Sequence, residues 1–159
     1  LRGAEKNLQL YHQLSGRAGR EGKPSTVYFQ TYNTNTKMIS DITNGNPEIF
    51  LGKELEIRKK NHLPPFQRFI SLILTGDNEK KLEEEAYKFK VFVKNKINGK
   101  ILGPVNAPFF RLKKKYRIRF LIRGSKTMKL QNSLAEIIHY YRFPTGIKLS
   151  VDVDPISFN

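Results

Sequence analysis

Along residues 116–123, YRIRFLIR, apolar and basic side chains alternate. That is the period of a strand with one buried face. Tyr116, Ile118, Phe120 and Ile122 fall on one side, and Arg117, Arg119 and Arg123 fall with Leu121 on the other. The segments around it carry either this period or the helical one. RFISLIL (68–74) predicts a strand, and NEKKLEEEAYKFKVFVKNK (78–96) a helix with Leu82, Ala86, Phe89 and Val93 on one stripe. KILGPV (100–105) predicts a short strand. KTMKLQNSLAEIIHYYR (126–142) predicts a helix turning Leu130, Leu134, Ile137 or Ile138, and Tyr141 inward. IKLSVDV (147–153) predicts a last strand, with Asp152 and Asp154 finishing it near Pro155. The order β-α-β-β-α-β predicts a ferredoxin-like plan: a four-stranded antiparallel sheet with both helices on one face and the other face open.

The first part of the chain is organised differently, so the expected class is α+β. Residues 4–15, AEKNLQLYHQLS, predict a helix with Leu8, Tyr11 and Leu14 or Ser15 near one face, ended by the glycine-rich GRAGREGKP. STVYFQTY (25–32) is rich in β-branched and aromatic residues and predicts a strand. Residues 36–43 predict a short helix. Asn46 before Pro47 predicts a capped helix start, with the helix running to about residue 61. LPPF (63–66) then breaks the chain, because proline cannot continue a helix and restricts the residue before it. A domain boundary is expected there.

Charge narrows the partners. The 159 residues carry 29 Lys and Arg against 14 Asp and Glu, a net charge of +15, which favours a polyanion and nucleic acid first. There is no cysteine, hence no disulfide framework and no thiolate metal site. His12, His62 and His139 are far apart in sequence, so no metal site is expected. No apolar run approaches the length of a membrane span. The chain starts at Leu1 rather than Met, which suggests a piece of a longer protein.

The densest chemistry lies in QLSGRAGR, residues 13–20. Arg17 and Arg20 are three apart and can point the same way from one turn. Gly16 and Gly19 allow close backbone approach. Two arginines so placed can grip a γ-phosphate and stabilise charge during its transfer, with Gln13 adding a hydrogen bond. The pattern Q-x-x-G-R-x-G-R resembles motif VI of superfamily 2 helicases. With QLYHQLSGRAGREGKPSTVYFQTY, ELEIRKKNHLPPF, ILGPV and the terminal DVDP, the chain resembles the C-terminal part of the bacterial primosomal replication-restart helicase family, the primosomal protein N′ (PriA) family.

This resemblance implies that residues 1–32 are the tail of a second RecA-like helicase lobe, 33–65 a helical linker, and 66–159 a C-terminal domain for DNA and partners. It implies a cytoplasmic parent, an ATP-dependent 3′→5′ DNA helicase that recognises stalled forks and restarts replication through primosome assembly. ATP and Mg²⁺ would be its cofactors, with Gly16, Arg17 and Arg20 at the nucleotide and Gln13 assisting; zinc would belong to the parent only. The chain has no G-x-x-x-x-G-K-[ST] phosphate loop and no acidic DExx motif, so by itself it is expected not to hydrolyse ATP.

Two further surfaces are candidates. Arg111, Lys113, Lys114, Lys115, Arg117, Arg119 and Arg123 occur without an acid among them and suit DNA phosphates, branched or forked DNA above all. The open face offers few aromatics for base stacking, with Phe69 the candidate. At the start of the last helix, Ser125 is the expected N-cap, and Lys126, Lys129 and Gln131 are candidates for holding the acidic tail of single-stranded DNA-binding protein, a partner the resemblance implies. The alternative reading is a stand-alone basic ferredoxin-like module associated with RNA or the ribosome.

Overall fold

A computed structural model describes residues 3–16, 26–28, 30–32, 39 and 47–157. The chain divides into two compact units, Leu1–Asn61 and His62–Asn159.

The first unit contains helix α1 (Gly3–Ser15) and helix α2 (Pro47–Lys60). Leu8 on α1 and Phe50 on α2 are buried. So is Arg58, whose guanidinium pairs with Glu5 of α1 through Nη1 and with Glu54 one turn back through Nε, each at 2.9 Å. A buried guanidinium needs such pairing to offset lost hydration. Much of the apolar surface of these helices stays exposed, including Leu10, Leu14, Ile49, Leu55 and Ile57. The strand expected over 25–32 is not seen among the described residues. Its described residues, 26–28 and 30–32, have no ladder, and Tyr28 and Tyr32 are fully solvated. β propensity makes a strand only where a neighbouring strand accepts its hydrogen bonds. Of the short helix expected at 36–43 only Ile39 is described, and it is helical; the Asn46 cap lies outside the described residues.

The second unit runs β1 (Arg68–Gly76), α3 (Glu79–Lys94), β2 (Lys100–Leu112), β3 (Lys115–Gly124), α4 (Met128–Tyr140) and β4 (Lys148–Val153). The four strands form one sheet in the order β2-β3-β1-β4, every neighbouring pair antiparallel. Ile70, Leu72 and Leu74 on β1 stand opposite Ile122, Phe120 and Ile118 on β3. Leu82, Ala86, Phe89 and Val93 from α3 and Leu130, Leu134 and Ile137 from α4 join them in a single core. One core drawn from both helices and one side of the sheet places the helices on the same face. Asn78 caps α3 by accepting from the Lys81 amide at 3.0 Å, which satisfies one of the amides that a helix start leaves unpaired. Beyond β4, Asp154 pairs with Arg68 at 3.2 Å and its amide donates to the Phe69 carbonyl at 2.7 Å, pinning the terminus beside β1.

Two boundaries differ from those the sequence suggests. The strand expected over 100–105 continues to Leu112. Pro104 and Pro108 hid this, but β2 is an edge strand, where a missing amide breaks no ladder. The last helix is capped at Thr127 rather than Ser125, and Thr127 makes no side-chain cap bond. Instead the Ser125 and Thr127 hydroxyls bond each other at 3.1 Å.

Phe89 is the hub of the aromatic packing, with Phe120, Tyr141 and Phe143 at ring distances of 5.7, 5.0 and 5.1 Å. Beside it the Tyr141 hydroxyl donates to the buried Glu85 carboxylate at 2.7 Å. Burial pushes the Tyr141 hydroxyl well above the ordinary tyrosine range, and the hydrogen bond and charge of Glu85 push it further. Its folded value exceeds its unfolded one, so its contribution to stability is complete below about pH 10 and is lost as pH rises beyond that. Replacing Tyr141 by Phe leaves Glu85 buried without its donor. In urea unfolding at pH 7 the variant is expected to lose about 1–2 kcal/mol, and the gap to wild type should narrow above about pH 10. Tyr140→Phe, on an exposed ring, should stay within about 0.5 kcal/mol.

Candidate nucleic-acid interface

Because β3 is an interior strand, its alternation sorts its side chains between two environments. Ile118, Phe120 and Ile122 enter the core, while Arg117, Arg119, Leu121 and Arg123 remain half-buried on the opposite face. Their cross-strand neighbours complete that face. Arg119 lies between Ile73 on β1 and Val105 on β2, and Arg123 between Phe69 and Lys100. Lys100 and Arg123 are directly opposed like charges, an arrangement that costs stability unless an anion relieves it.

Beside Arg119 the ladder slips. Leu102 pairs with Leu121 and Val105 with Arg119, so Gly103 and Pro104 form a bulge. Gly103 has φ +100, and a Cβ there would sit 2.7 Å from the Arg119 carbonyl oxygen, so only glycine fits. The bulge opens a shallow depression of about 220 Å³ lined by Leu102, Gly103, Val105, Arg119 and Leu121.

The hairpin joining β2 to β3 carries the remaining cations. Leu112 pairs with Lys115, leaving a two-residue turn of Lys113 and Lys114 with φ of 50 and 66. Turns with two positive φ values ordinarily take Asn-Gly, since a left-handed backbone costs a side-chain-bearing residue about 1–2 kcal/mol. Here the turn holds two exposed lysines. Arg111 lies over the Tyr116 ring, 5.4 Å from its centroid, and Lys115 reaches Asp77 at 3.8 Å. Of the seven residues expected to meet DNA, Arg117, Arg119 and Arg123 thus share one sheet face and Lys113, Lys114 and Lys115 lie on the hairpin at its end, while Arg111 stands beside Tyr116 on the core side.

The aromatic expected there is not available. Phe69 is on the arginine face but only 4% exposed. The sequence reading missed Phe109, which is 59% exposed at the base of the same hairpin. The signal was the aromatic pair in APFFRLKKK, which lies between the strands expected over 100–105 and 116–123.

The other candidates are less complete. Gln13 is exposed in the last turn of α1, and the Gly16 amide closes that turn on the His12 carbonyl at 2.9 Å. Arg17, Gly19 and Arg20 lie outside the described residues. Lys126 and Lys129 are exposed, but Lys126 precedes the cap of α4 rather than sitting in its first turn. The Gln131 Oε1 is buried without a hydrogen-bond partner, so that oxygen is not offered beside the two lysines.

Residues 59–156 match the family described as the primosomal protein N C-terminal domain, and the chain belongs to that family. Over nearly its whole length it is similar to proteins called replication restart protein PriA. Identity is 40% with that of Rickettsia felis over 99% of the chain, 31% with that of Synechocystis over 99%, and 31% with that of Bacillus subtilis over 97%. The chain spans about a quarter of the length of the first of these, 24%.

The Lys113–Lys114 turn invites a direct test. The double change Lys113→Asn with Lys114→Gly should raise unfolding free energy by about 1 kcal/mol, because the new residues tolerate positive φ. A thermal melt checks this; a lower Tm would mean that the lysines hold the turn by contacts other than its backbone.

Proposed function

We propose that this chain is the C-terminal piece of a replication restart protein and that its second unit grips DNA through the phosphate backbone. The observation that carries the reading is the sorting on β3. Its apolar side chains complete the core, while Arg117, Arg119 and Arg123 share the opposite face and lead into the lysine hairpin. Such a surface suits sequence-independent, salt-sensitive binding. The strand order β2-β3-β1-β4 supports a ferredoxin-like plan for this unit. The parent, on this reading, is a cytoplasmic ATP-dependent 3′→5′ DNA helicase acting at stalled forks with other primosome proteins.

The first unit fits the tail of a RecA-like lobe. Its exposed leucines and isoleucines are what helices show when the rest of their packing lies on other parts of a protein. Arg17 and Arg20 would meet the γ-phosphate of ATP across the cleft, supported by Gly16 and with Gln13 reaching from the helix end. Mg²⁺ would be held elsewhere in the parent, as would zinc, for which this chain has no cysteine. The acidic tail of single-stranded DNA-binding protein remains a candidate ligand for Lys126, Lys129 and Gln131. The stand-alone RNA-associated module is disfavoured by a likeness to restart proteins that includes the first unit.

Fluorescence anisotropy on a fork, a plain duplex, single-stranded DNA and duplex RNA, each across a salt series, tests the reading. Fork binding should be preferred and should weaken steeply with salt. Neutralising Arg117, Arg119 or Lys114 to Gln should each lower the log–log salt slope by about 1. Binding that ignores salt, or no binding, would contradict it. The isolated chain should show no ATP turnover above background; measurable turnover by a pure preparation would contradict the assignment of nucleotide chemistry to the parent.

A further inference from the structure

The β2–β3 ladder is broken a second time near the hairpin. Asn106 pairs with Ile118 and the ladder resumes at Arg111 and Tyr116, so residues 107–110 of β2 stand against Arg117 alone. The surplus backbone has to bow out of the sheet, and its side chains divide. Ala107 is buried. Phe110 is half-buried, its ring 5.4 Å from that of Tyr116. Phe109 turns outward and is 59% exposed. Two adjacent phenylalanines therefore have opposite fates: one anchors the bulge, and the other is displayed by it.

The surroundings of the displayed ring define what it can meet. The Arg117 guanidinium donates to the Phe109 carbonyl through Nη1 at 3.5 Å, holding a cation against this stretch of backbone. Arg111 and the lysines of the turn follow within a few residues. A protein partner burying Phe109 in an apolar pocket would have to desolvate or match Arg117 and the cations that follow in the hairpin. A nucleic acid brings phosphates for the cations and a flat base for the ring together. Within continuous duplex each base face is already covered by its neighbours. A free face exists where stacking is interrupted, at a branch, a frayed end or a single strand. Bulged hairpins with an exposed apolar side chain suit such a wedge.

We propose that Phe109 stacks on an unpaired base at a DNA branch, and so supplies the structural selectivity that phosphate contacts alone lack. The inference rests on the backbone-binding reading above and adds the ligand's class: DNA with an unstacked base beside a duplex arm. Phe109 acts as the stacking surface, Phe110 and Tyr116 hold the bulge in place, and the hairpin cations align the flanking backbone.

The test uses the 159-residue chain and a fork carrying 2-aminopurine at the unpaired position next to the branch. A plain duplex with the probe at an internal position is the control. Wild type should change the probe's fluorescence on the fork and leave it unchanged in the duplex. Phe109→Ala should abolish that change and weaken fork binding about fivefold to a hundredfold, the range for losing one aromatic stack, with plain-duplex affinity and its salt slope unaltered. Phe109→Trp should keep both signals, which guards against a folding artefact, as does an unchanged thermal melt for the alanine variant. Salt-sensitive DNA binding with a silent probe, or an alanine variant that keeps the wild-type fork-to-duplex ratio, would overturn the stacking role and leave the backbone reading intact; the ring would then be a protein contact. Failure of wild type to bind any DNA would overturn both.

Discussion

The second unit depends on the register of β3. This strand lies inside the sheet, paired with β1 on one side and β2 on the other, and its side chains change face at every residue. With Phe120 opposite Leu72 and Ile118 opposite Leu74, the apolar set meets the helices and the arginines meet solvent. A slip of one residue would send Arg117 and Arg119 into the core and Phe120 into water. Few alternatives could be less favourable, so the hydrophobic effect that builds the core also fixes where the cations stand. The basic face is in this sense a by-product of core packing, with its composition free to serve a ligand.

The edges relax what the centre fixes. On β2 the ladder slips twice, at Gly103–Pro104 and again between Asn106 and Arg111. An edge strand can tolerate this because its outer amides have no partner to lose. The first slip opens a depression beside Arg119, and the second displays Phe109. The lysine turn that follows carries a backbone conformation better suited to Asn-Gly. Left-handed backbone at residues other than glycine occurs at Lys113 and Lys114 in this turn and also at His62 and Asp154, so the hairpin shares its local cost with two positions outside it.

How far this could be read from sequence varies by element. The alternation in YRIRFLIR and the helical stripe of Leu82, Ala86, Phe89 and Val93 were legible because each has a single period and a single buried side. The extent of β2 was not, since its prolines mimic a loop and its bulges destroy the period. STVYFQTY has strand composition but no ladder in the described residues, since composition cannot supply a partner. The cap of α4 was off by two residues because Ser125 is the stronger capping type, whereas the structure starts the helix after Thr127. Of the candidate site, the run of cations is visible by counting, whereas the burial of Phe69 and the exposure of Phe109 are not. Family membership was legible through QLSGRAGR and the ordered motifs after it, including ILGPV, whose glycine the bulge demands.

The central claim is that one face of the sheet builds the core and the other, with its hairpin, holds DNA. Amide hydrogen exchange across the chain, with and without a forked DNA, tests it most directly. Slowed exchange should fall on residues 108–119 and on the outer edge of β2, with α3 and α4 unchanged. Protection confined to α3 and α4, with the hairpin exchanging as in the free protein, would contradict the account.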